Sequence, residues 1–376
     1  MNRREWADIL SGRVRGPRAG ILRTALLAGV PLYGGAVLLR NALFDTGLRR
    51  PAKLGRPVVS VGNLTAGGTG KTPMVVALAQ RLMALGARPA VLLRGYTYRG
   101  APLMDSDEAR LLRSELGPQV PVEPNPSRVE GARRVLGAHP EVSVFVLDDG
   151  FQHRQAHRDL NLVLIDATEP FGGGRLLPAG LMREPLRALK RADAIILSRA
   201  DLAPPETLDQ INALLRRRAA AVPIVQAAAQ WNGWREATGA ALGMDVLRDT
   251  PVAGVCGVGN PHQFAAMLGA ACSQVTTILP LNDHQVYGAE LLESIFERAR
   301  QRGAAAVVTT EKDWVKWQVT LAQSAVKHAL PVYRPILDMR FLRGAAEVDA
   351  LLRNVISHPT VTNPSGHVSP RAGQDE

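Results

Sequence analysis

The most specific chemistry in this chain lies in ten consecutive residues, Asn63-Leu64-Thr65-Ala66-Gly67-Gly68-Thr69-Gly70-Lys71-Thr72. Glycines let backbone N–H groups turn inward around a phosphate, and a helix starting behind them adds the favourable end of its dipole. Lys71 is placed to reach β- and γ-phosphates, and the Thr72 hydroxyl to hold Mg²⁺. The common Gly-x-x-x-x-Gly-Lys-Ser/Thr pattern is met except at its first position, which falls on Thr65. An ordinary glycine-rich turn does not account for Gly-Lys-Thr at its end. Asn63, Thr65, Gly67, Gly68, Thr69, Gly70, Lys71 and Thr72 are therefore the candidates for binding ATP.

A second constellation is the apolar run Val144-Phe145-Val146-Leu147 ending in Asp148-Asp149. A carboxylate at the end of a buried strand, opposite a phosphate loop, holds Mg²⁺ directly or through water. Asp148 is the metal candidate, with Asp149 sharing the metal or orienting its neighbours, because adjacent carboxylates otherwise repel. Ser198-Arg199-Ala200-Asp201 stands where nucleotide switches keep an Asn-Lys-x-Asp base-reading motif, but Ser and Arg replace the residues that shape that pocket. That substitution favours a phosphotransferase over a GTPase-like switch.

These groups need a frame. Runs at Val58–Val61, Ala90–Leu93, Val142–Leu147, Leu162–Ile165 and Ala194–Leu197 read as strands, with an amphipathic helix over Met74–Leu85. The alternation predicts an α/β fold, a doubly wound parallel sheet of the P-loop NTPase kind with ligands at the carboxyl ends of its strands. Trp231-Asn232-Gly233-Trp234 reads as a hairpin turn. A second, smaller α/β unit starts with a strand at Val252–Cys256, a helix near Pro261 and a strand at Ala305–Thr309. The expected division is a basic apolar arm over 1–56, a kinase domain over 57–222, a connector hairpin over 223–249, the smaller domain over 250–356 and a disordered tail over 357–376.

The formal charge is +11, and residues 1–56 hold 11 lysines and arginines against three acids. That arm also contains the uncharged stretch Thr24–Leu39, flanked by arginines. It is short of the roughly 20 residues that cross hydrocarbon, so the expectation is a helix lying in a membrane interface, with a buried core helix as the alternative. Charge confined to such an arm, without an aromatic-interleaved basic groove, argues against a nucleic-acid partner. Cys256 and Cys272 are too few for a disulfide framework or zinc site.

Gly62-Asn63-Leu64-Thr65, Gly67-Gly68-Thr69-Gly70-Lys71-Thr72-Pro73, Asp148-Asp149-Gly150-Phe151-Gln152-His153, Leu177-Pro178-Ala179-Gly180 and Arg183-Glu184 together resemble the tetraacyldisaccharide 4′-kinases of lipid A biosynthesis. Gly259-Asn260-Pro261, Asp283-His284 and Thr309-Thr310-Glu311-Lys312-Asp313 follow in the order that family keeps. The resemblance implies transfer of the ATP γ-phosphoryl group to the 4′-hydroxyl of an acylated glucosamine disaccharide 1-phosphate, at the cytoplasmic face of a bacterial inner membrane; a monomer is the expected form. It implies an Asp and His pair acting on the acceptor hydroxyl. The matching positions are Asp107, with Asp105 as competitor, and His284, which residue chemistry alone reads as a loop-holding histidine. Ser106 and Ala109 depart from the family's Gly before the Asp and Pro after the Glu. Lys71 and Asp149 join the catalytic set. Tyr96, Arg128, His153, Arg183 and Glu184 are candidates for the substrate or its phosphates. The expected arrangement is a cleft between the two domains that closes on binding.

Overall fold

The structure is a computed structural model that describes residues 6, 9–10, 14, 16–95, 106–257, 261–282, 285–323, 326 and 330–357. Tyr96, Asp105, His284 and the tail from 358 onward lie outside these residues.

Two helices open the described chain, α1 (Pro17–Leu27) and α2 (Val30–Asp45). The chain then alternates: β1 (Val58–Asn63), α3 (Lys71–Ala84), β2 (Pro89–Leu93), α4 (Asp107–Leu116), β3 (Val122–Pro124), α5 (Arg128–Ala138), β4 (Val144–Asp148), β5 (Leu160–Asp166), β6 (Ala194–Ser198) and α6 (Pro205–Arg218). The remainder is β7 (Ile224–Glu236), β8 (Ala241–Leu242), β9 (Val252–Cys256), α7 (Pro261–Ala271), β10 (Val275–Pro280), α8 (Ala289–Gln301), β11 (Ala306–Thr309), α9 (Glu311–Gln323), β12 (Val332–Arg343) and α10 (Ala345–Ser357).

The twelve strands among the described residues join one sheet in the order β10-β9-β11-β12-β7-β6-β5-β1-β4-β2-β3, with β8 on β7. Pairing is parallel throughout except where β7 meets β12 and β8. Parallel strands need both faces covered, and the central ones read as unbroken apolar runs for that reason. In β1 the side chains alternate: Val59 and Val61 enter a core shared with α3, α4 and α10, while Val58 enters one shared with α5. A third core lies under α6, and two more flank β9 and β11.

The segments before and after residue 223 are thus joined by a long antiparallel ribbon rather than by a separate connector. Trp231-Asn232-Gly233-Trp234 corrects the hairpin expectation, because these residues lie inside β7 and the turn falls later, between Glu236 and Ala241. Gly233 pairs with Ile336 and Trp231 with Leu337, so Asn232 is the extra residue of a β-bulge. Trp234 is fully buried and Trp231 packs edge-on against it at 5.5 Å, which a solvent-facing turn does not allow. An Asn-Gly pair serves a bulge as readily as a turn, and burial of the flanking tryptophans decides between them.

Candidate active site

The phosphate loop lies between β1 and α3. Gly67 and Gly70 take φ of 126° and 82°, values that a Cβ would strain, and Gly70 caps the helix that starts at Lys71. The loop is held from several sides. Asn63 Nδ2 donates to the Thr65 carbonyl at 2.6 Å, Gln152 Nε2 to the Asn63 carbonyl at 2.8 Å, and the Ala66 N–H to the Leu181 carbonyl at 2.7 Å. From the end of β6, Ser198 Oγ donates to the Thr69 carbonyl at 2.9 Å and Arg199 Nη2 to the Gly68 carbonyl at 2.9 Å. Arg199 also pairs with Asp166 and donates from Nε to Gln263 of α7 at 3.0 Å. Ser198-Arg199 stands where a base-reading motif is expected in a switch, and otherwise reads as a loop after a strand. Its side chains brace the phosphate loop instead.

Because Val61 of β1 is in register with Asp148 of β4, the two carboxylates at the end of β4 open onto the loop. Asp148 is buried, and its Oδ1 has no hydrogen-bond partner. Burial pushes its pKa up to about 6, against the pull of Lys71 and with the push of Asp149. Asp149 adopts a left-handed φ of 54°, which turns its side chain toward Lys71, 3.7 Å from Nζ to Oδ1. Arg183 Nη1 donates to both oxygens of Asp149, at 2.9 and 2.8 Å. Burial works against the charge on Asp149, but Lys71 and Arg183 outweigh it and hold its pKa below the usual carboxylate range. Thr72 is partly buried in the first turn of α3.

The structure places the other expected residues as follows. Arg128 is buried and donates to the backbone carbonyls of Asn125 (2.9 Å) and Asp148 (3.5 Å), fixing the end of β4. His153 is held neutral near pH 7: burial, then Arg128, Arg158 and Arg94, push its pKa down to about 4. Glu184 is a correction. It is fully buried, accepting from Asn41 Nδ2 at 2.7 Å and pairing with Arg40 (3.1 Å) and Arg191 (2.9 Å), so it clamps α2 and does not face a substrate. Tyr33 of α2 adds a hydrogen bond to the Arg183 carbonyl at 3.0 Å.

Asp107 opens α4, where Ser106 caps the helix by accepting from the Ala109 N–H at 3.1 Å. Arg110 Nη2 lies 2.7 Å from its Oδ1 and Lys316 Nζ of α9 lies 3.0 Å from its Oδ2. Burial raises the pKa of Asp107, but Lys316 and then Arg110 more than offset this, so the carboxylate stays ionised.

Comparisons with known proteins agree with one another. A family model described as Tetraacyldisaccharide-1-P 4'-kinase matches residues 22–357. A tetraacyldisaccharide 4'-kinase of Anaeromyxobacter dehalogenans (strain 2CP-C) is 39% identical over 357 residues, covering 90% of this chain and 92% of its own. One from Geobacter sulfurreducens is 37% identical over 373 residues, covering 93% and 98%. Among solved structures, LpxK from Aquifex aeolicus in complex with ATP superimposes with a TM-score of 0.72 at 29% identity, covering 89% of this chain and 99% of that one.

Proposed function

The chain belongs to the tetraacyldisaccharide-1-P 4'-kinase family, and from that premise we propose that it transfers the γ-phosphoryl group of ATP to the 4′-hydroxyl of tetraacyldisaccharide 1-phosphate, the kinase step of lipid A biosynthesis. The observation that carries this reading is the meeting of Lys71 with Asp149, 3.7 Å apart, at the mouth of the phosphate loop with Asp148 behind them.

Phosphoryl transfer asks the protein mainly for positioning and charge stabilisation. The N–H groups of the loop and of the first turn of α3 cradle the phosphates, and Lys71 neutralises charge on the transferring group. Asp148 and Thr72 are the residues that would hold Mg²⁺, which would supply positive charge to offset that of the phosphates. The orphaned Oδ1 of buried Asp148 fits that role, since a buried polar atom without a partner is costly unless a ligand satisfies it. Asp107 and His284 serve the acceptor side, taking the proton of the sugar hydroxyl as the new bond forms. Asp149 and Arg183 set the charge around Lys71.

The acceptor is a lipid, and the N-terminal helices support delivery from a bilayer at the cytoplasmic face of the inner membrane. No single described helix is long and apolar enough to cross a membrane; α1 and α2 reach that length only as a pair bent by 44°. Gly34, Val37 and Asn41 of α2 face inward, while Leu32 (81% exposed) and Leu39 (65%) point to solvent, as does Ile21 of α1 (71%). Solvent-facing leucines flanked by arginines suit the headgroup region. Beside them a groove of about 490 Å³ is lined by Leu27, Val30, Leu176 and Leu186, with Arg175 and Arg218 at its sides. Tyr33 connects α2 to Arg183, and Arg183 to Asp149, so the membrane-facing helix is only two contacts from the phosphate site.

The test is transfer of label from γ-labelled ATP to tetraacyldisaccharide 1-phosphate in detergent micelles. Labelled bisphosphate formed by the wild type and lost in Lys71→Ala supports the kinase; ATP hydrolysed without labelled lipid overturns it. Deleting the arm is a poor membrane test, because it would leave Glu184 and Arg154 without Arg40, Asn41 and Asp45. Leu32→Gln with Leu39→Gln is the cleaner probe: vesicle binding falls while activity in micelles persists.

A further inference from the structure

Three side chains in the first turns of α9 reach out of their own helix to different places. Asp313 accepts from the Gly257 N–H (2.8 Å), Tyr287 OH (2.8 Å) and Thr310 Oγ1 (2.6 Å), tying its helix to Gly257 at the end of β9 and to Tyr287 before α8. Glu311 accepts from Ser114 Oγ of α4 at 2.7 Å and pairs with Arg334 (3.1 Å) and Arg235 (3.8 Å) of the long ribbon. Lys316 makes the third connection. Its ammonium lies 3.0 Å from Asp107 Oδ2 and donates to the Gln285 carbonyl at 3.4 Å, and its side chain is only 11% exposed.

Those two acceptors belong to segments far apart in sequence. Asp107 begins α4, and Gln285 directly follows Asp283-His284. We infer that Lys316 is a positioning residue for phosphoryl transfer, a single ammonium that ties the Asp107 carboxylate to the Gln285 carbonyl and so holds that carboxylate, ionised and in one arrangement, toward the acceptor hydroxyl. This inference rests on Asp107 being the acceptor-side base. An ammonium has three donors and a long flexible stem, and ordering that stem costs entropy that a lone surface pair rarely returns. Here the stem is covered, and the head serves two segments at once. Glu311 and Ser114 dock α4 on α9 independently, at the other end of α4, so Lys316 is not needed to bring the helices together.

The charge matters as well as the geometry. Among the described residues the cations facing Asp107 are Arg110 on its own helix and Lys316 on α9. Without Lys316 the carboxylate keeps its burial and loses a cation that acts on it more strongly than Arg110 does, so it protonates at higher pH.

The experiment compares wild type, Lys316→Met, Lys316→Arg and Asp107→Asn as full-length proteins in micelles, with γ-labelled ATP and tetraacyldisaccharide 1-phosphate. Lys316→Met keeps the stem and removes the charge. The expected result is a kcat lowered about tenfold or more, a KM for ATP within about twofold of wild type, an acid limb of kcat moved to higher pH, and recovery of part of the loss in Lys316→Arg. An unaltered kcat and acid limb in Lys316→Met overturns the inference while Asp107→Asn remains inactive, which leaves the base assignment standing. Loss of ATP binding alongside kcat in Lys316→Met also overturns it, since that marks a general structural role. Full activity in Asp107→Asn removes the base assignment itself, and the inference with it.

Discussion

Arg183 gives one nitrogen, Nη1, to both carboxylate oxygens of Asp149, at 2.9 and 2.8 Å, while Lys71 stands 3.7 Å from the same carboxylate. Two cations therefore share one anion, and the nearer is not the phosphate-loop lysine. Under the proposed function, pairing with Arg183 neutralises Asp149 and leaves Lys71 available to an incoming γ-phosphate. Replacing Arg183 by Met hands Asp149 to Lys71 and weakens ATP binding. The KM for ATP is expected to rise about tenfold, the scale of one hydrogen bond to a charged group. The double variant with Asp149→Asn is expected to lose less than the sum of the single losses, because each removes the partner of the other.

Arg199 tests whether the phosphate loop needs its brace. Its guanidinium joins the Gly68 carbonyl, Asp166 and Gln263, three separate elements, from a residue with a left-handed φ of 54°. A bulky residue holds that conformation only where its surroundings enforce it. Arg199→Ala is expected to raise the KM for ATP several-fold to about tenfold with a smaller change in kcat, as for loss of ground-state binding. Arg199→Lys recovers little, because one ammonium cannot span three directions. Steady-state kinetics at saturating lipid acceptor measures both.

Glu184 is a stability element, and its removal should show as such. With no exposure and two arginines on it, Glu184→Ala leaves Arg40 and Arg191 facing an empty buried site. Breaking a buried pair from one side costs about 3 to 5 kcal/mol. The thermal midpoint is expected to drop by several degrees, and limited proteolysis to cut near α2 before the rest of the chain unfolds. An unchanged midpoint would mean that Glu184 is not the clamp its partners describe.

The sheet around the phosphate loop was legible because β1, β4, β5 and β6 are buried on both faces, and a two-sided strand writes itself as an apolar run. Strands β7 and β12 were not. Val332–Arg343 carries Arg334, Pro335, Asp338 and Arg340 within twelve residues, and its order comes from pairing with β7, a contact that no local period announces. The phosphate loop and Asp148-Asp149 were readable as motifs since backbone conformation and residue type go together there. Lys316 carries no signal in the sequence, and Arg199 and Gln152 appear there only as members of motifs without their bracing roles, because their partners are a carbonyl or a carboxylate brought near by the fold. Arg183-Glu184 shows the limit from the other side: adjacent charged residues in one motif, of which Arg183 turns to Asp149 and Glu184 turns away into the core.

His153 supplies a pH dependence whose sign follows from its surroundings. Burial, then Arg128, Arg158 and Arg94, lower its pKa to about 4, whereas in the unfolded chain an imidazole titrates near 6.5. Between those values the unfolded state binds the extra proton and the folded state does not. Stability from this residue is complete above about pH 6.5 and is lost as pH falls toward 4. The ring is only partly enclosed, so screening by solvent reduces the loss to on the order of 1 to 2 kcal/mol. In His153→Gln the side chain is uncharged in both states and this contribution disappears. Denaturant unfolding at pH 7.5, 6 and 5 is the measurement, and the wild-type curve is expected to fall more steeply than that of the variant. Parallel curves would mean that the folded imidazole accepts its proton as readily as the unfolded one, which three nearby arginines and a half-buried ring argue against.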